Sequence, residues 1–265
     1  MRKSFIALAL LAVTSSVFLT SCAESVKQKT LDKILAQKTI VVGTTGQQFP
    51  FTFKGASGEL EGIDIKIANY LAKELGVAVK YEVMDFENLI PAVQEGKVDI
   101  VFSGVSITTE RNAKVVFPGV YFKSGKSILS KSKKLSKGDA EHVDVSTVTL
   151  ATTKGTTSEE FVKRRFPNAK LVLVENNAEA IVLLGSDQVH GIVADFETCE
   201  SLAFGYEESF LYYNNISKST EKEFISPVIA AHDNHFTNLV ANYITRINAV
   251  DKSEAIDEIW YEYAK

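Results

Sequence analysis

The feature that most constrains this chain is a repeated switch of hydrophobic period, from short β-branched runs to helical faces and back. Thr39–Thr44 (TIVVGT) reads as a buried strand. Ile63, Ile65, Ile67, Ala68, Leu71, Ala72 and Leu75 fall on one helical face, and Gly76 stands where a C-cap belongs. Val77–Met84 alternates as a strand, Asn88–Gln94 reads as a helix closed by Gly96, and Val98–Ser103 as a strand. A second series follows: strand Val148–Thr152, helix Ser158–Phe166, strand Lys170–Val174, helix Ala178–Leu184 and strand Gln188–Ala194. Alternation of this kind builds an α/β fold with parallel strands. No unit of roughly 20–50 residues recurs, which excludes a solenoid.

The two series share a looser likeness. Leu89–Val101 and Ile181–Val193 each run helix, turn, strand, and the strands end on Ser103-Gly104 and on Asp195. Ligands favour that edge of an open α/β sheet, so two lobes facing one cleft are expected. Lys123–Asp139, with Lys131, Lys133, Lys134 and Lys137, reads as a solvated strand and loop leaving the first lobe. Weak attraction to a membrane surface or a partner is its second reading. Thr237–Ile247 and Ala255–Tyr263, the latter bearing Trp260, read as helices returning to the first lobe.

Composition narrows the function classes. The chain is 265 residues long and 45% hydrophobic, which excludes disorder. A net charge of −4 argues against nucleic acid as a partner. Two cysteines cannot make a disulfide-dense scaffold.

Arg2 and Lys3 precede an uncharged apolar run from Phe5 to Leu19. This is the pattern of a secretory signal, and it falls short of the about 20 residues that span a bilayer. The run ends in Leu19-Thr20-Ser21-Cys22, which resembles a bacterial lipobox, where the cysteine is lipidated and becomes the new N-terminus. Residues 1–21 are then a signal peptide, and their loss removes Arg2 and Lys3 and no acid, leaving 27 bases against 33 acids, or −6. Cys199 is left unpaired, and residues 22–37 read as a tether that ends in a short helix over Leu31–Ala36.

Ser103-Gly104-Val105-Ser106-Ile107-Thr108-Thr109-Glu110-Arg111 follows a buried strand. Small residues, an N-cap threonine and an arginine within one turn suit an anion, because free backbone N–H groups and the helix start attract negative charge. Arginine can grip a carboxylate bidentately.

From about Thr39 to Tyr263 the chain resembles the solute-binding proteins of polar amino-acid uptake systems. The matching segments are Val42-Gly43-Thr44, Phe49-Pro50-Phe51, Gly58-Glu59-Leu60-Glu61-Gly62-Ile63-Asp64, Leu89-Ile90-Pro91-Ala92, Gly96-Lys97-Val98-Asp99, Ser103–Arg111 and Lys154-Gly155-Thr156-Thr157. The resemblance implies a bilobal, type II periplasmic-binding-protein-like α/β fold with a two-stranded hinge. Lobe 1 is then 38–123 plus 231–265 and lobe 2 is 128–226, with crossings near Lys123–Ser127 and Ser226–Ala230. A monomer without cofactor or metal is expected. Such a protein sits on the extracytoplasmic side, is anchored through Cys22, and hands an amino acid to an ABC transporter permease.

By the same resemblance Arg111 clamps the ligand's α-carboxylate, aided by the backbone N–H groups of Ser106 and Thr157. Asp195 takes the α-ammonium with the Gly104 carbonyl. Ser103 and Thr156 complete the matched ligand set. Gln48 stands where the family often has an aromatic, Thr45 where binders of basic amino acids have an acid, and Phe86 matches a pocket aromatic. The pocket therefore reads as polar and suited to a neutral amino acid. Pro118-Gly119-Val120 replaces the family's Ser-Asp-Pro, and His190 replaces an aspartate and is expected to point away from the cleft. Arg111 and Asp195 would face each other from opposite lobes, and a buried charge needs a partner, so an open empty state that closes on ligand is expected.

A competing reading comes from the same fold. The chain also resembles periplasmic cyclohexadienyl dehydratases in Thr44-Thr45-Gly46, Gly155–Phe161 and Trp260-Tyr261-Glu262-Tyr263. Glu159 matches a catalytic acid there, which would need a raised pKa. In the first turn of a helix an acid also simply suits the dipole. The histidines, His142, His190, His232 and His235, lack metal-site spacing. A sensor input role would require a separate membrane partner to read the closed form.

Overall fold

A computed structural model describes residues 29–137, 145–206, 211–214, 216–217 and 221–249. The expected signal segment 1–21, Cys22 and the expected helix Ala255–Tyr263 lie outside the described residues. The first series folds as α1 (Thr30–Gln37), β1 (Thr39–Thr44), β2 (Gln47–Gln48), β3 (Thr52–Lys54), β4 (Leu60–Glu61), α2 (Ile63–Leu75), β5 (Ala78–Val83), α3 (Leu89–Glu95), β6 (Ile100–Val101) and α4 (Thr109–Asn112). β1 is the middle of a parallel sheet ordered β5-β1-β6, and β2, β3 and β4 form a small antiparallel ribbon. Ile40 and Val42 of β1 pack with Ile63, Ile67 and Leu71 of α2 in one core.

The second series follows as β7 (Phe122–Ser124), β8 (Lys126–Leu129), α5 (Lys133–Ser136), β9 (Thr149–Thr153), α6 (Thr157–Arg165), β10 (Lys170–Val174), α7 (Asn177–Gly185), β11 (Gly191–Asp195) and α8 (Phe196–Gly205). Its sheet runs β10-β9-β11-β8. Here one expectation changes. β8 is antiparallel to β11, whereas β9, β10 and β11 are parallel. β8 enters directly from the connecting ribbon, so no crossover helix constrains its direction. Separate cores form around Leu129, Ile192, Leu184 and Cys199, and around Leu150, Phe161, Phe166 and Val193.

β12 (Glu223–Ile225) returns antiparallel to β7, and α9 (Asn234–Ala249) then packs Phe236, Val240 and Ile244 into the first core. The protein is thus two α/β lobes joined by a two-stranded ribbon. β6 is shorter than the Val98–Ser103 reading, and its Val101 is paired on both sides, with Gly43 of β1 and with Val228 on the returning segment.

The tether reading of residues 22–37 needs correction over its last turns. Leu31 and Ile34 of α1 are buried in the first core, the Leu31 N–H donates to Asp233 at 3.1 Å, and Lys33 pairs with Asp99. The amphipathic spacing of α1 makes it a packed element, and the folded unit begins by Thr30.

Gly62 decides where α2 starts. With φ 121°, it brings the chain so close to Phe51 that a Cβ would sit 2.3 Å from the Phe51 carbonyl oxygen. That approach lets Pro50 and Phe51 carbonyls accept from the Ile63 and Asp64 N–H groups at 3.0 and 2.9 Å, satisfying the open helix end. Gly76 and Gly96 close α2 and α3 in the left-handed conformation, as their positions predict.

Candidate functional site

The C-terminal ends of β1 and β6 and of β9 and β11 face one cleft. Thr45, Gln48, Phe86, Gly104 and Ser106 line it from the first lobe, and Thr156, Thr157 and Asp195 from the second. Eight of the residues read from sequence therefore meet in one place. Ser103 lies behind them. Its hydroxyl donates to Thr45 Oγ1 and accepts from the Thr45 N–H, both at 3.1 Å, so it positions Thr45.

Gly104 adopts φ +58°, and a Cβ there would stand 2.7 Å from Gln48 Nε2. Its N–H donates at 2.6 Å to Asp64 Oδ2 at the start of α2. Asp64 is fully enclosed, and burial pushes its carboxyl up to about 7 against the opposing effects of the Tyr121 hydroxyl and the Gly104 N–H. The turn after β6 is thus tied to α2 through a buried carboxyl.

Thr108 caps α4, its hydroxyl accepting from the Arg111 N–H at 3.1 Å. The cap aims Arg111 across the cleft. Its guanidinium donates to the Ser106 carbonyl at 2.9 Å and to the Gly155 carbonyl of the other lobe at 3.0 Å, and it lies 5.3 Å over the Phe86 ring. Desolvation draws its pKa down, opposed by the charges of Glu223 and Asp195. Phe86 also packs against the core around Leu89 and Val93, so it serves both core and cleft.

Two residues that the sequence reading passed over complete the charge pattern. Lys126 opens β8 and is 1% exposed. It is the cross-strand neighbour of Asp195 in the β8–β11 register. Its ammonium donates to Asp195 Oδ1 at 2.6 Å and Thr157 Oγ1 at 2.7 Å, and lies 3.3 Å from Glu223 Oε1. Glu223, on β12, accepts from the Thr157 hydroxyl at 2.9 Å. Burial pulls Glu223 up, but Lys126 and the Ser106 and Thr157 hydroxyls together hold it below the ordinary value. Burial raises Asp195, partly offset by Lys126. Lys126 stands in the stretch read as solvated, and that reading is corrected for this residue. A lysine heading an otherwise buried strand was the signal available.

One premise of the expected open cleft, a buried charge left unpaired on closure, does not hold for Asp195. The lobes touch: Gln48 Nε2 lies 3.4 Å from Asp195 Oδ2, the Thr198 hydroxyl donates to the Phe49 carbonyl at 3.3 Å, and Lys154 pairs with Glu87 at 3.0 Å. Asp195 has a cationic partner from its own sheet, so closure leaves it paired.

Glu159 does not line the cleft. Its carboxylate accepts from the Gly155 N–H at 2.9 Å and from Lys163 at 2.7 Å. Partial burial pulls it up, but Lys163, the Gly155 N–H and Lys154 hold it below the ordinary value. This direction is opposite to the raised value expected of an acid catalyst. His190 is exposed at the far end of the sheet, accepting from the Thr149 N–H at 3.0 Å, away from the cleft as expected. Cys199 is a free, buried thiol whose burial pushes its pKa up to about 12. Among the described residues no group of three or more His, Cys, Asp or Glu side chains is arranged to hold a metal, and no helix is long and apolar enough to cross a membrane.

The comparisons agree with this architecture. The chain is 33% identical over 208 residues to the ABC transporter glutamine-binding protein GlnH of Bacillus subtilis (strain 168), covering 74% of this chain and 75% of the relative. It is 28% identical to the cyclohexadienyl dehydratase of Pseudomonas aeruginosa, covering 63% of this chain and 62% of that enzyme. The crystal structure of the ancestral amino acid-binding protein AncCDT-1, a precursor of cyclohexadienyl dehydratase, superposes with a TM-score of 0.76 at 33% identity, covering 89% of this chain and 100% of that one. With its family model matching residues 40–263, the chain belongs to the bacterial extracellular solute-binding proteins, family 3.

Proposed function

We propose that this protein binds an amino acid in the cleft and hands it to an ABC transporter permease on the extracytoplasmic side of the membrane. The observation that carries the reading is the presence of a cation and an anion on opposite lobes of the cleft. Arg111, held by the Ser106 and Gly155 carbonyls, stands at its edge beside the lining residues Phe86 and Ser106, and Asp195 lines it from the second lobe. A zwitterion needs one group of each sign, and gripping both lobes at once favours the closed form. In this reading Arg111 and the start of α6 at Thr156–Thr157 take the carboxylate, since a helix N-terminus favours an anion. Asp195 and the Gly104 carbonyl take the ammonium, and Thr45, Gln48 and Phe86 contact the side chain.

Lobe 1 is 38–123 plus 231–265, extended by α1, and lobe 2 is 128–226. The signal segment 1–21 and a lipid on Cys22 anchor a monomer that works without cofactor. The kinship with amino-acid-binding proteins of ABC transporters supports the transport role.

Calorimetry on refolded, ligand-free residues 23–265 with the common L-amino acids tests the reading. One or a few amino acids should bind, and Arg111→Ala should abolish that binding while melting as the wild type does. Unchanged affinity in Arg111→Ala would remove the clamp from the mechanism. Binding of prephenate or arogenate alone, with release of an aromatic product, would replace transport by dehydratase chemistry.

A further inference from the structure

Four ionisable side chains meet in or beside the cleft: Arg111 and Lys126 with Asp195 and Glu223. Their formal charges cancel. Lys126 is 1% exposed and Asp195 7%. The three protons of the Lys126 ammonium match three acceptors, Asp195 Oδ1, Thr157 Oγ1 and Glu223 Oε1. Such an ammonium is held in place and cannot swing away without breaking three contacts.

We propose that Lys126 sets the charge class of the ligand and selects an amino acid with a neutral, polar side chain. The inference rests on the amino-acid reading above. A zwitterion with a neutral side chain adds no net charge to a balanced, desolvated cleft. A lysine or arginine side chain would bring a second cation beside Lys126 with no further buried acid among the described cleft residues to meet it, which is costly away from water. Asp85 and Glu175 also border the cleft, but both are exposed and screened by solvent. The neutral donors and acceptors nearby, Thr152, Asn176 and Asn177, suit a polar group. Lys126 thus works by exclusion, as an unfavourable element built against the wrong ligand.

The test is a charge series on the mature chain, read by calorimetry with L-glutamine, L-arginine, L-lysine and L-glutamate. Wild type should bind glutamine more tightly than arginine or lysine. Lys126→Met leaves an excess negative charge and should move the glutamine-to-arginine affinity ratio at least about tenfold toward arginine, or roughly 1.4 kcal/mol. Glu223→Gln leaves an excess positive charge and should move preference toward glutamate by a similar factor. The double variant restores balance and should return the wild-type order. Melting curves report the fold, and Glu223→Gln with the double variant decides the matter if Lys126→Met does not fold. Ratios unchanged across the series, or a wild type that prefers arginine or lysine, would overturn the role of Lys126 while leaving amino-acid binding intact. A folded wild type that binds none of the common amino acids would overturn the underlying reading and this inference with it.

Discussion

Lys126 and Asp195 are cross-strand partners in the antiparallel β8–β11 pair, and their charged atoms stand 2.6 Å apart. Register, not a loop, delivers the cation to the cleft. Removing one member of such a buried pair leaves the other uncompensated. Asp195→Ala should therefore cost about 3–5 kcal/mol of stability in addition to ligand binding. Adding Lys126→Met should recover most of that loss, as urea unfolding would show. Additive losses in the double variant would mean that the pair contributes no coupling.

Gly104→Ala should destabilise the turn that ends β6. The left-handed φ alone costs about 1–3 kcal/mol in a residue with a side chain, and the new Cβ would press on Gln48. Combining it with Gln48→Ala relieves the clash but not the backbone strain. Thermal melting should therefore show partial rescue, and full rescue would contradict the strain argument.

Stability should rise as pH falls from about 7 toward 5. Burial holds the Asp64 carboxyl at about 7 against an ordinary 3.8, and that of Glu197 at about 7 against 4.5. Asp195 is raised in the same direction. Between the unfolded and folded values the native state binds more protons than the unfolded chain, so raising pH through this window removes stability. The depressed acids Glu159, Glu223 and Asp233 act in the opposite sense, below their ordinary values. Melting temperature against pH should flatten in Asp64→Asn and again in Asp64→Asn/Glu197→Gln. A slope unaltered by both substitutions would assign the dependence elsewhere.

Glu159→Gln should leave amino-acid affinity unchanged and cost under about 1 kcal/mol, because the partner Lys163 is largely solvent-exposed. Its carboxylate serves Gly155 and Lys163 outside the cleft. Loss of prephenate or arogenate turnover in this variant, measured by product absorbance, would instead make it a catalytic acid.

Ile34→Ala should destabilise the protein by about 2–5 kcal/mol, the usual cost of hollowing a packed core. A chain beginning at residue 38 should melt at least as far below the full mature chain. If both match wild type, α1 is an appendage rather than part of the first core.

Much of this molecule is legible locally. Alternating periods announce two α/β series, and Gly76 and Gly96 announce helix ends. A small-residue turn with a capping threonine places Arg111 beside a strand end, and Asp195 closes a hydrophobic run. These features depend on neighbours within one or two turns, which a sequence displays directly. Lys126, Glu223 and Asp64 could not be assigned that way. Lys126 becomes a cleft residue only because β8 pairs with β11 in one register, and a shift of one residue would turn it to the opposite face. Glu223 reaches the same ammonium from the returning ribbon, far along the chain. Asp64 looks like an ordinary first-turn acid until packing buries it behind Gly104. Glu159 reads in sequence either as a candidate acid or as a helix-start acid, and only the fold shows its contact with Lys163. Burial and cross-strand pairing join residues distant in sequence, and those two conditions set the charge of this cleft.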